Sequence, residues 1–200
     1  MKKHLWKINK EKLSKTNIAL YSSFVRKNYK INLNNDFNSL WKWSTDHSEI
    51  FWKSIWDFTK VKGDLGNILL KKSKFFFKNK FFPDSKLSYA ENLLSKNNKD
   101  PAIIFKSENN YKQVLSWRDL NLNVKKVSYW MKSKGLKKGD RIAAYLPNIP
   151  ETVIAYIGTS AIGAIWSSCS PDFGTSGVID RFSQIRPKIL FIADIYFYNG

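Results

Sequence analysis

One cysteine, two histidines and two methionines are all that the 200 residues offer in the way of soft or readily metallated side chains. A single thiol, Cys169, excludes a disulfide framework, and with only His4 and His47 beside it no Cys/His zinc site can be assembled. Such sparing use of cysteine is that of a reducing compartment, so a cytoplasmic location is expected. Acidic side chains are also scarce: 16 Asp plus Glu stand against 34 Lys plus Arg, a formal net charge of +18. Arginine is rarer still, 5 against 29 lysines, and 18 asparagines accompany them. Proteins that read bases or grip phosphates lean on the planar, bidentate guanidinium, whereas Lys, Asn, Ile and Phe share AT-rich codons. The charge is spread as singles and pairs, +12 over residues 1–100 and +6 over 101–200. No nucleic-acid partner is therefore expected, and a basic nucleic-acid-binding module remains the distant alternative. Long apolar runs are missing as well. The longest uncharged stretch, Thr152 to Pro171, is broken by Gly158 and Gly163, and Met1 to Leu13 begins with lysines but holds no apolar h-region. Neither a membrane partner nor a secretory signal is expected.

What is present is a globular composition, 43% hydrophobic and 16% aromatic. A chain of this length can bury roughly 70% of its unfolded surface. After a basic, polar start, a weak helical pattern runs through Ile18, Leu20, Tyr21, Phe24 and Val25. Asp36 is placed to cap a helix carrying Phe37, Leu40, Trp41 and Trp43. Asp46 and Glu49 have capping-box spacing ahead of Phe51, Trp52, Ile55, Trp56 and Phe58, so a helix pair glued by large apolar side chains is expected there rather than a ligand-stacking surface. Phe75–Phe82 is an apolar-basic run closed by Pro83-Asp84, and Ser88 with Glu91 forms a second capping box.

Asn97-Asn98-Lys99-Asp100-Pro101 is a breaker and the expected boundary. Beyond it, Ala102–Phe105 and Gln113–Trp117 read as a strand pair around Asn109-Asn110, and Ser116 with Asp119 opens a long helix ending at Gly135. Strand Arg141–Leu146, helix Pro150–Ile162, strand Ala164–Ser168, helix Thr175–Ile185 and strand Lys188–Ala193 follow. That alternation implies right-handed crossovers and a parallel sheet.

The glycines near these elements make weak phosphate sites. Gly158 to Gly163 has P-loop spacing, but Ala164-Ile165 stands where Lys and Ser/Thr are required, so close helix packing is the better reading. Gly174-Thr175-Ser176-Gly177 resembles a small cradle, yet Asp172 and Asp180 flank it, and a carboxylate competes with an anion for a helix N-terminus; it reads as a loop with caps. No GxGxxG follows a strand. Cys169 has no nearby His and reads as a buried small residue at a strand end.

Ordered phrases carry the reading further. They are Trp43-Ser44 with Phe51-Trp52 and Ile55-Trp56-Asp57-Phe58; Phe82 to Leu94; Gly139 to Asn148; and Ile165 to Gly174, in which Trp166-Ser167-Ser168-Cys169-Ser170-Pro171-Asp172-Phe173-Gly174 is the most distinctive. Over roughly Asp36 to Gly200 the chain resembles the N-terminal part of acyl-CoA synthetases of the adenylate-forming superfamily, within them the acetoacetate–CoA ligase (acetoacetyl-CoA synthetase) branch. The acetate branch shares the layout but usually carries a glycine-rich phrase with phenylalanine where Ser167-Ser168-Cys169 stands. An acetyl- or other short-chain acyl-CoA synthetase is the alternative.

The resemblance implies an α/β fold: residues 1–97 a helical, Trp-rich N-terminal extension, and 98–200 the first part of an incomplete parallel-sheet, AMP-binding domain, truncated at its C-terminal side. It implies a two-step reaction in which acetoacetate attacks the α-phosphate of ATP, giving an acyl-adenylate and pyrophosphate, after which CoA displaces AMP to yield acetoacetyl-CoA. That chemistry, placed in ketone-body and lipid metabolism, uses ATP, Mg and CoA. The phosphate loop with its lysine, the magnesium site and the mobile C-terminal lysine are not among these residues, so the chain is expected to be a fragment or split product, inactive alone, with no catalytic residue and no metal ligand of its own. By the same resemblance Trp166, Ser167, Ser168 and Tyr198 are expected beside CoA, with core packing the equal alternative for Trp166 and local capping the alternative for the two serines. The oligomeric state is left open.

Overall fold

Side-chain caps punctuate the N-terminal helices. Asn9 accepts a hydrogen bond from the Lys12 amide and opens α1 (Lys10–Ser14), and Thr16 opens α2 (Asn17–Tyr29) by accepting from Ala19. The computed structural model describes residues 8–33 and 36–197. Asp36 accepts from the Ser39 amide at 2.8 Å and starts α3 (Phe37–Asp46), as the sequence predicts. The expected Asp46–Glu49 box does not form. Once Asp36 has started α3, helical backbone runs through Asp46, which is then a helix residue and not a cap; α4 (Ser48–Thr59) starts instead from His47, without a side-chain cap bond.

By density of contacts the chain divides into two compact units, Met1–Lys86 and Leu87–Gly200. The core of the first consists of Tyr21, Val25, Leu33 and Trp43, with Phe51, Ile55 and Phe58 packed on it. Tyr21 meets Phe58 and Phe51 edge-on at 5.2 and 6.2 Å, and Trp43 meets Phe51 at 5.8 Å. The helix pair is thus glued by aromatics, but among tryptophans chiefly by Trp43; Trp41 is 58% exposed. Two short strands come next, β1 (Gly63–Asp64) and β2 (Leu70–Lys71), then a 3-10 turn at Phe76–Lys78 and β3 (Lys80–Phe81), which pairs antiparallel with β2. β4 (Lys86–Leu87) lies at the junction of the units.

In the second unit Ser88 accepts from the Glu91 amide and opens α5 (Tyr89–Leu93). Ala90 is buried with Leu120, Val124, Ile154 and Ile157, which is why this helix belongs with the residues that follow it. The strand pair is present as β5 (Pro101–Lys106) and β6 (Lys112–Ser116), with Ile104 opposite Val114 and Asn110 at φ 62° in the turn. Ser116 and Asp119 form a complete capping box on α6 (Trp117–Ser133). Gly135, at φ 80°, ends it, letting the Leu136 amide reach back to the Met131 carbonyl at 3.2 Å.

Then come β7 (Arg141–Tyr145), α7 (Pro150–Ala161), β8 (Ile165–Cys169), α8 (Thr175–Ile185) and β9 (Ile189–Ile192). The three strands make one parallel sheet in the order β8-β7-β9, with Ile142 opposite both Trp166 and Ile189. β7 is central because the chain steps to one side of it through α7 and to the other through α8. Right-handed crossovers then put the two helices on opposite faces. The two cores agree: Met131, Leu136 and Ile142 pack with Trp166, Ile189 and Phe191 on one face, and Ala143 and Cys169 pack with Phe182, Val178 and Ile185 of α8 on the other. Gly158 of α7 serves packing, as read: a Cβ there would lie 3.2 Å from Val127 and 3.3 Å from Met131 of α6, and Ser128 donates to its carbonyl.

Candidate functional site

Open α/β sheets present ligands at the carboxyl ends of their strands, where neighbouring connections leave for opposite faces. Here that place lies between the loop after β7, Leu146 to Ile149, and the loop after β8, Ser170 to Gly174. The two are tied together. The Tyr145 hydroxyl at the end of β7 is 2.7 Å from the Pro171 carbonyl and 2.8 Å from that of Phe173, and donates to this pair. Ser170 Oγ donates to Asp172 at 2.8 Å, and the Arg181 guanidinium of α8 lies 4.5 Å from the centre of the Phe173 ring. The loop is therefore held from the strand below and the helix beside it.

One expectation about this loop is overturned. Asp172 does not cap α8; its carboxylate is engaged by Ser170, and the helix opens on Gly174 without a side-chain cap bond. Asp180 lies beyond the first turn of α8, which holds no acidic residue. Ser170 reaches the Asp172 carboxylate from two residues away, a local bond of the kind that competes with helix capping.

The sequence-derived positions fall on both sides of the sheet. Trp166 lies on the α7 face, its ring 6.0 Å from Tyr156 and 6.3 Å from Phe191, and packs into the core there. Ser168 shares that face by strand alternation and is exposed, while Ser167, opposite Ala143, lies on the α8 face and is half-buried. Trp166-Ser167-Ser168 is thus one strand segment reaching the carboxyl end, not one surface cluster. Tyr198 lies outside the described residues. Cys169 is buried against Ala143 and Phe182, as expected of a packing residue.

Sequence reasoning missed a cavity of about 490 Å³ beside the same strand ends. Its walls are Phe105 and Tyr111 of the β5–β6 hairpin, Pro147 and Asn148 after β7, Glu151 of α7, and Tyr196 after β9. No signal in the sequence brings the hairpin to this end of the sheet, since the contact depends on tertiary packing. The opposite, amino end of the sheet is a structural joint: Lys188 pairs with Asp140 at 2.8 Å, and the Asp140 carboxyl is held below its ordinary range by that lysine and by the Lys137 amide. On α7, Tyr156 is pushed upward by burial and by neighbouring Tyr89. Among the described residues no three His, Cys, Asp or Glu side chains converge as a metal site would require.

Residues 91–198 match the family "AMP-binding enzyme". The acetoacetyl-coenzyme A synthetase of Rhizobium meliloti (strain 1021) is 41% identical over 165 residues, covering 82% of this chain and 25% of that protein. The acetoacetyl-CoA synthetase of Xenopus tropicalis is 33% identical over 99% of this chain and 30% of its own length. The solved acetoacetyl-CoA synthetase from Streptomyces lividans superimposes with a TM-score of 0.90 at 29% identity, over 98% of this chain and 31% of that one. The chain thus spans between a quarter and a third of the length of the relatives it matches.

Proposed function

This chain belongs to the AMP-binding enzyme family, and from that premise we propose that it supplies the N-terminal part of an ATP-dependent ligase joining acetoacetate to CoA through an acyl-adenylate. The observation that carries the reading is the likeness to the Streptomyces lividans synthetase over nearly every residue. Residues 1–97 supply the N-terminal extension, its last helix α5 packed on the AMP-binding part that 98–200 begin. The strand segment Trp166-Ser167-Ser168 and Tyr198 border CoA, with Trp166 fixing the segment through its packing on Tyr156 and Phe191. Tyr145 holds the adjoining loop in place. Magnesium accompanies ATP, the work is done in the cytoplasm, and the product enters ketone-body and lipid metabolism.

The 200 residues alone do not turn over. No Ser/Thr/Gly-rich phosphate loop with a lysine occurs in the sequence, and removing even one preorganised electrostatic group commonly costs on the order of a hundredfold in rate. The test joins residues 1–200 to the remaining length of the Rhizobium meliloti relative and measures pyrophosphate release with acetoacetate, acetate and butyrate in competition. Acetoacetate is the preferred acid, and the 200-residue chain assayed beside the chimera is silent. A chimera that prefers acetate overturns the branch, and turnover by the short chain overturns the division of labour.

A further inference from the structure

The hairpin of β2 and β3 carries a surface that the ligase reading does not use. Its strands pair with Leu70 opposite Phe81 and Lys71 opposite Lys80. The tip is closed by Asn79, whose side-chain oxygen accepts from the Ser73 amide at 2.8 Å, and by the 3-10 turn at Phe76–Lys78. On this closed tip stand three consecutive phenylalanines: Phe75 is 49% exposed, Phe76 88% and Phe77 77%. Phe75 and Phe77 stack at 5.6 Å, and the Lys78 ammonium lies 5.3 and 5.9 Å from their ring centres. Contacts within the hairpin thus fix the placement of these rings.

Charge surrounds them. Lys71, Lys72, Lys74, Lys78 and Lys80 are all exposed, and no Asp or Glu occurs between Asp64 and Asp84. Among the described residues none of these five lysines takes part in a salt bridge.

We propose that this hairpin docks the chain on an anionic lipid surface, with Phe76 and Phe77 entering the acyl boundary and the lysines resting on headgroup phosphates. The partner must offer an apolar receiver for two large rings and negative charge within one lysine length of it. An anionic bilayer offers both at the right depths, since lysine stems run along apolar surface while their ammoniums stay at the headgroups. A second copy of the hairpin would set five lysines against five. A single-stranded nucleic acid would satisfy the charge, but Phe75 and Phe77 already spend a face on each other, and the patch has no arginine. Docking of this kind needs no spanning helix, so it revises the expectation of no membrane partner without conflicting with its basis: among the described residues no helix is long and apolar enough to cross a bilayer.

The test is flotation of the 200-residue chain with vesicles of phosphatidylcholine alone and of phosphatidylcholine with an equal part of phosphatidylserine, at low and high salt. The chain floats with the phosphatidylserine vesicles at low salt and not with the neutral ones. The double variant Phe76→Ala/Phe77→Ala binds at least about tenfold more weakly, and Lys72→Gln/Lys74→Gln loses on the order of tenfold with a shallower salt dependence. All four positions are exposed, and circular dichroism matched to the parent shows that the fold is kept. Equal flotation on both vesicles, unaltered binding by the phenylalanine variant, tighter ring-dependent binding to polyuridylate, or a dimer lost on ring removal would each overturn the proposal.

Discussion

Tyr145 does two things with one side chain. Its ring continues the α8-face packing with Cys169 and Phe182, and its hydroxyl reaches the carbonyls of Pro171 and Phe173. Tyr145→Phe keeps the ring and removes the donor. The expected cost is about 1 kcal/mol, the net worth of a protein hydrogen bond, with faster amide exchange and earlier proteolysis confined to Ser170 to Gly174. Unchanged exchange there would show that Arg181 and Phe173 suffice to hold the loop. Nothing in the sequence marks Tyr145 out, because its acceptors lie 26 and 28 residues downstream and only the parallel pairing of β7 with β8 brings them near. Core packing of Trp166 was legible as an alternative, but not that Tyr156 and Phe191 receive its ring, since strand alternation says which face a residue shares and not what waits there.

At the level of elements, α6 and α7 meet closely at Gly158. A Cβ at Gly158 already meets Val127 and Met131 at 3.2 and 3.3 Å, where a methyl needs its neighbours to yield by tenths of an ångström. Gly158→Leu pushes further carbon into the same space. It should destabilise by about 2–3 kcal/mol through overpacking, in spite of leucine's better helix propensity. Chemical denaturation of variant and parent checks this, and a variant as stable as the parent would mean that Met131 swings aside. The elements themselves were legible: caps at Asp36 and Ser116 and glycine at Gly135 set helix limits that the structure keeps. The failures were local competitions. Asp46 was claimed by the preceding helix, and Asp172 by Ser170. Strand order was not legible, because period and spacing give parallel pairing but do not say on which side of β7 each later strand settles.

For the molecule as a whole, acid is the weak side. Asp119 and Asp140 have carboxyls held below the ordinary range, the first by Ser116 and the second chiefly by Lys188. Burial pushes Asp57 upward, but hydrogen bonds from Lys53 and Tyr29 outweigh it and the net shift is down. Each binds its proton less tightly folded than unfolded, so its contribution is complete above the unfolded value near 3.9 and disappears as pH falls through the lower folded value. Neutralising the 16 acids also removes the only counterweight to 34 basic groups. Thermal melts should be nearly level from neutrality to about pH 5 and fall steeply below about pH 4, with Asp119→Asn and Asp140→Asn flattening that limb; an equal loss at pH 6 would point to other groups. The sheet order β8-β7-β9 also sets a timetable for the ribosome. Ile142 is made well before Ile189, the second of its two neighbours. At synthesis rates of roughly 5–20 residues per second, one edge of the central strand waits several seconds for its last partner. During that interval the nascent chain shows an open row of amides and carbonyls, and it is then that a chaperone has most to protect.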